Sequence, residues 1–168
     1  MGCDIHGYLE VKIKERWNSI KEIPTDRDYD MFGILADVRN YVNAKPISRP
    51  KGVPEDASDF VAQEIVDRSI DGHSHSWLTW EEISKYNWEQ KSLDGRVSTI
   101  EKATGKELSK AVYTYLQDKP DPRFELKHLE RIMKELIPQS WKDFFDDMKD
   151  FAERFGAENV RIVFWFDN

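Results

Sequence analysis

The chain has 168 residues, a formal net charge of −7, six Trp and a single cysteine, Cys3. A 12% share of aromatic residues excludes a disordered chain. The acidity argues against a binder of duplex nucleic acid, which needs a basic face to release counterions, and one cysteine excludes an intramolecular disulfide and suits a reducing compartment.

The first segment, CDIHGYLEVKI (3–13), alternates. Cys3, Ile5, Leu9, Val11 and Ile13 share one face with Gly7, and Asp4, His6, Tyr8, Glu10 and Lys12 share the other, which predicts a half-buried strand. RWNSI continues as a second strand after a turn at Lys14 and Glu15, and 24–27 reads as a loop. Met31, Leu35, Val38 and Val42 recur near helical spacing behind Asp28 or Asp30, predicting a helix over 28–42. Gly33 inside it carries a helix cost of roughly 1 kcal/mol. Residues 43–57 hold three of the seven prolines and read as a loop, locally basic at Lys45, Arg49 and Lys51.

Ser58 caps a helix over 58–70. In DGHSHSWLTWEEI (71–83), Thr79 and Glu82 fit a capping box, so a helix starts at about Trp80 and HSHSWL is the extended segment feeding it. An extended run puts Asp71, His73 and His75 on one face. Residues 91–105 read as turns. KELSKAVYTYL is a helix stopped by Pro120, and FELKHLERIMKELI (124–137) reads as an amphipathic helix with Leu126, Leu129, Ile132, Met133, Leu136 and Ile137 on one stripe. WKDFFDDMKDFAERFG (141–156) is another, stopped by Gly156. NVRIVFWFDN is a buried strand. The expectation is one α+β domain over 1–168, with a small sheet that includes the N- and C-terminal strands, packed with several amphipathic helices.

Two of the four histidines follow an Asp at two residues' distance, His6 after Asp4 and His73 after Asp71, with His75 beside the second pair. A carboxylate orients an imidazole and stabilises its protonated form. Two imidazoles across a cleft can act as general base and general acid in phosphodiester cleavage. The candidate catalytic residues are therefore His6, His73, His75, Asp4 and Asp71. The same Asp4, His6, His73 and His75 are the ligand set for a divalent metal, an alternative that stays open with no cofactor assigned. Arg39, Asn40 and Arg49 are candidates for phosphate contact, and Tyr29, Phe32 and Trp77 for stacking on a base. Arg39 near a helix C-terminus also has a purely structural use. His128 reads as structural, and Cys3 as core. The chain lacks a Gly-rich phosphate loop, a G-x-S-x-G elbow, C-x-x-C and H-E-x-x-H, which removes the common nucleotide triphosphatases, serine hydrolases, zinc fingers and zincins.

GCDIH at 2–6, RDYDMFGILADVRN at 27–40, PKGVPEDAS at 50–58, DGHSHSWLTWEEI at 71–83 and the ending RIVFWFDN together resemble a family of small bacteriophage proteins that begin Met-Gly-Cys-Asp-Ile-His. The resemblance spans most of the first half and the last strand. It implies a phage origin and a bacterial cytoplasm, and it brings no settled activity with it. The start also lacks a basic region followed by an apolar one, and no run is long and apolar enough for a bilayer.

The leading expectation is an accessory protein, of the kind that counters host defence, cleaving a phosphodiester or pyrophosphate in a small nucleotide such as a cyclic immune signal. The alternatives are a non-catalytic sponge for such a nucleotide, consistent with a homo-oligomer, a metal-dependent hydrolase, and an inhibitor of a host protein. Neither a membrane nor duplex nucleic acid is an expected partner.

Overall fold

The computed structural model describes residues 1–68 and 70–168. Two antiparallel sheets and five helices make an α+β fold. β1 (Asp4–Ile13) and β2 (Arg16–Glu22) form a hairpin. Its turn residues Lys14 and Glu15 have φ of 50° and 64°, the left-handed pair that matches strand twist in a two-residue hairpin. The chain's last strand, β6 (Val160–Asp167), lies antiparallel between β1 and β3 (His73–Thr79), giving the order β2-β1-β6-β3. The expected pairing of the terminal strands is therefore present, from Asp4 opposite Asp167 to Val11 opposite Val160. Gly7 permits it: a Cβ there would lie 2.7 Å from the Phe164 Cβ.

Period-two alternation gives this sheet two unlike faces. One face presents Ile5, Leu9, Val11, Leu78, Ile162, Phe164 and Phe166 to the main core, with α1 (Tyr29–Ala36), α3 (Trp80–Lys85) and α5 (Gln139–Phe155) packed over it. In α5, Trp141, Phe144, Phe145 and Met148 are buried at i, i+3, i+4 and i+7. α3 starts on a complete capping box. Thr79 Oγ1 accepts from the Glu82 N–H at 3.2 Å, and Glu82 Oε2 accepts from the Thr79 N–H at 2.9 Å. The other face carries α2 (Asp59–Asp67), capped by Ser58, with Val61 and Ile65 against Val163 and Trp165.

Three elements differ from expectation. The helix expected over 28–42 ends at Ala36, because Asp37 turns left-handed at φ 61° and its N–H bonds back to Gly33 O. Gly33 is required there. Asn40 folds into the space a Cβ would take and clamps Ala44 through both its N–H and its C=O. The turn-rich stretch 91–105 is mostly β4 (Lys91–Glu101). The helix expected over 124–137 is β5 (Phe124–Ile132) followed by a single 3-10 turn at Met133–Leu136. Its apolar residues keep helical spacing, but β4 supplies a long antiparallel partner, from Lys91 opposite Ile132 to Glu101 opposite Phe124. Pairing overrides such a run. These two strands form the second sheet, with α4 (Lys110–Asp118) packed on β4. His128 is structural as expected, its Nδ1 2.9 Å from the Asp94 carbonyl oxygen, but it sits on a strand. No helix among the described residues is long and apolar enough to cross a membrane.

Candidate functional site

The histidine-rich strand contains a bulge. His73 lies opposite Phe166 and Ser76 opposite Phe164, so Ser74 and His75 together face the single residue Trp165. Ser74 takes φ 53° to make room. One extra residue reverses the side of everything before it. The His73 ring stacks on Phe166, centroids 6.1 Å apart, on the main-core face. The His75 ring stacks on Trp165 at 6.2 Å and 16°, on the α2 face. The expectation that Asp71, His73 and His75 share one side is corrected by this bulge.

His6 joins His75. It lies opposite Trp165 in the β1–β6 register, ring centroids 5.9 Å apart. The α2 face thus carries an imidazole, an indole and an imidazole across three adjacent strands. Two strand spacings put the outer backbones about 10 Å apart.

Asp4 does not orient His6. It forms a two-point pair with Arg27, at 2.8 Å to Nε and 2.9 Å to Nη2, and those bonds hold its carboxyl below the usual range. The orienting carboxylate is Asp167, whose Oδ2 lies 2.8 Å from His6 Nε2. The other ring nitrogen, Nδ1, is 3.4 Å from Arg68 Nη1. An Arg only donates, so His6 accepts at Nδ1 and gives its Nε2–H to Asp167. Asp71 is exposed and has no side-chain partner among the described residues.

Arg68 is itself held. Glu64, one turn back, pairs with its Nε at 3.3 Å and also accepts from the Tyr8 hydroxyl at 2.9 Å. Burial, and then the bond to Glu64, pushes the Tyr8 hydroxyl up to about 12. Burial, and then the charge of His73, lowers the His75 imidazole below its ordinary value. His75 Nε2 and Trp165 Nε1 are both buried without a hydrogen-bond partner among the described residues, as is His73 Nε2 on the other face. Leaving such a group unpaired costs about 1–3 kcal/mol, and Trp141 Nε1 in the main core is in the same position.

The remaining candidates lie away from this surface. Phe32 is fully buried against Phe166, and the Tyr29 hydroxyl accepts from the Cys3 N–H at 3.1 Å. Asn40 is the loop clamp described above. Arg39, left-handed at φ 49°, reaches the Asn168 side chain at 3.2 Å. Arg49 is exposed. Lys51 Nζ lies 3.8 Å from the Trp77 ring centroid, covering the face a base would stack on. Asp4, His6, His73 and His75 do not converge on a common point, and no three His, Cys, Asp or Glu side chains among the described residues are placed to hold an ion. Cavities of 770 and 670 Å³ lie elsewhere, along β2 and beside α4.

Arg68, Asp167 and Trp165 were not among the sequence candidates. Asp167 had a signal: once the first and last strands pair antiparallel, an acidic residue at the end of FWFDN falls near the start of β1. Arg68 had none, since only packing of α2 brings it to His6. No protein-family model, curated protein or solved structure matches the chain.

Proposed function

We propose that the α2 face of the four-stranded sheet is a site for acid–base cleavage of a phosphodiester or pyrophosphate in a small nucleotide, with His6 and His75 as the proton-transfer pair. The observation that carries this reading is the placement of these two imidazoles on either side of Trp165, next to Arg68, with His75 Nε2 and Trp165 Nε1 left unpaired.

His75, kept neutral by burial, takes the proton from the attacking hydroxyl or water. That oxygen bonds to phosphorus, and the P–O bond to the leaving oxygen breaks. Once Arg68 has moved onto the phosphate, His6, held by Asp167, takes up a proton from solvent at Nδ1 and passes it to the leaving oxygen. The Trp165 N–H is a donor for a phosphoryl oxygen. Entry requires the C-terminal end of α2 to shift, and only Val61 and Ile65 are buried beneath that helix. A nucleotide of the host's immune signalling, met in a bacterial cytoplasm, is the proposed substrate by analogy with the setting of small phage accessory proteins alone. A non-catalytic sponge is less well supported, because of its expected stacking platform Phe32 is fully buried, Tyr29 is half-buried with its hydroxyl engaged, and Lys51 sits over Trp77.

The test is incubation of the pure protein with a panel of cyclic and linear nucleotides and ADP-ribose derivatives. Small molecules are recovered by chromatography before and after heat denaturation of the protein. New products support cleavage. Intact ligand released only by heat supports sequestration instead. A panel neither bound nor cleaved contradicts both.

A further inference from the structure

Among the described residues the two sheets have four outer edges, at β2, β3, β4 and β5. Three of them are blunted. β2 carries a bulge at Ile20, since Ser19 and Lys21 face the adjacent residues Glu10 and Leu9, and a bulge turns an edge away from further pairing. β3 is covered by the proline-rich loop, where the Gly52 N–H bonds to His75 O at 2.8 Å and the Lys51 N–H to Ser76 Oγ at 3.1 Å. The outer side of β4 is covered too. Thr99 O accepts from the Leu108 N–H at 2.8 Å, the Glu101 N–H bonds to Lys106 O at 3.0 Å, and the Gly95 N–H bonds to Tyr41 O at 2.8 Å. β5 is the exception. It runs nine residues with no Pro, no Gly and no extra residue of its own, and no strand among the described residues pairs with its outer side. It belongs to a sheet of only two strands, the size that gains most from another.

The bonds at its two ends show which backbone groups point outward. Arg123 O accepts from the Lys102 N–H, and the Met133 N–H donates to Gln90 O. The odd-numbered residues therefore turn their backbone to β4, and Leu126, His128, Glu130 and Ile132 turn theirs out. A second β5 can pair antiparallel only in a register that sets even residue against even residue, so a two-fold axis passes through a residue. An axis through His128 uses the whole strand. Phe124 then faces Ile132 of the second copy, Glu125 faces Arg131, Leu126 faces Glu130 and Lys127 faces Leu129, with no like charges opposed. An axis through Lys127 sets that residue against itself, and one through Leu129 sets Lys127 against Arg131, both of which oppose pairing. Axes nearer either end pair fewer residues. Exposed Leu126 shares its side of the sheet with exposed Val97, opposite His128, and exposed Leu93, opposite Glu130, so an added strand also finds apolar neighbours.

We propose that β5 is a dimerisation edge, pairing antiparallel with β5 of a second copy about a two-fold axis through His128 to give one sheet of order β4-β5-β5-β4. It includes neither His6 nor His75, and its test involves no nucleotide, so it stands or falls separately from the cleavage site. The test is sedimentation equilibrium of the full chain and its variants. At about 100 µM the wild type sediments as a dimer, as an interface at the small end of the usual range allows. Leu126→Glu sets a carboxylate against Glu130 of the second copy at two places and weakens the dimer at least about tenfold. Leu126→Lys sets an opposite charge there and keeps Kd within a few-fold, whereas loss of an apolar contact alone would weaken both variants alike. His128→Cys places two Cα atoms about 5.5 Å apart across the axis, within disulfide reach, and cross-links under mild oxidation; Leu126→Cys, off the axis, does not. The native Cys3 is buried and does not compete. A wild type that stays monomeric at that concentration overturns the inference, whether or not the edge then takes an extended peptide of another protein. So does a dimer that Leu126→Glu leaves intact, one that both charged variants weaken equally, or one that His128→Cys fails to cross-link.

Discussion

The two faces of the four-stranded sheet are made by the same strands and do different work. The α1/α5 face is dry: Ile5, Leu9, Phe164 and Phe166 are fully buried among aliphatic and aromatic neighbours. The α2 face is mixed, with polar groups at both ends of the apolar cluster of Val61, Ile65 and Val163. At one end Arg161, 2% exposed, pairs with the fully buried Glu10 at 2.8 Å and lies 3.8 Å from the Trp17 ring centroid. At the other end stand His6, Trp165 and His75. Burial on the first face supplies the driving force for folding. Burial on the second desolvates groups that have charge or protons to exchange, which is how chemical sites are made.

The contrast can be broken first by stability. Phe164→Ala on the dry face is expected to cost about 3–5 kcal/mol in urea unfolding, as a cavity in a packed core. Arg161→Ala on the polar face is expected to cost a similar 3–5 kcal/mol or so, for a different reason: it strands the Glu10 carboxylate. The double variant Glu10→Leu with Arg161→Met separates the two causes. It should recover most of the loss, because an apolar pair carries no desolvation debt. A double variant as unstable as Arg161→Ala would mean that the ion pair itself holds the sheet.

A smaller effect should appear with pH. Burial lowers the His75 imidazole below its unfolded value near 6.5, so the unfolded chain takes up this proton first as pH falls. The stability that comes from keeping His75 neutral is complete above about pH 6.5 and is lost as pH falls from there through the lower folded value. His75→Phe should flatten that part of the stability profile, measured by urea midpoints at a series of pH values. An unchanged profile would mean that the stacked ring titrates like a free one. Trp165→Phe should be nearly neutral for Tm, since it deletes an N–H with no partner, yet it should weaken ligand binding or turnover. The smallest effect expected is at α3, where Thr79→Ala removes the capping box and costs about 1 kcal/mol.

Much of the fold was legible because its signals are local. The alternation in β1, the Ser58 cap, the Thr79 and Glu82 box and the aromatic stripe of α5 are each written within a few residues. β5 was not legible, because the apolar residues of FELKHLERI favour a helical period and only pairing with its partner β4 overrides them. The site was half legible. His6 and His75 were visible as residue types, but which histidine shares a face with His6 depends on one bulge at Ser74, a residue with no glycine-like signature. Asp4, the expected partner of His6, is taken by Arg27, and its role passes to Asp167 at the far end of the chain. Spacing in sequence names the groups, whereas register and helix packing choose their partners.

The most direct measurement compares His6→Ala, His73→Ala and His75→Ala side by side for turnover of the nucleotide that the wild type cleaves, with circular dichroism confirming the fold. The account predicts that His6→Ala and His75→Ala each lose about 10²–10⁴-fold in kcat, the usual worth of a proton-transfer group, while His73→Ala, on the dry face, keeps its rate within a few-fold. Loss of turnover in His73→Ala with retention in His75→Ala would contradict the assignment and move the site to the other side of the sheet.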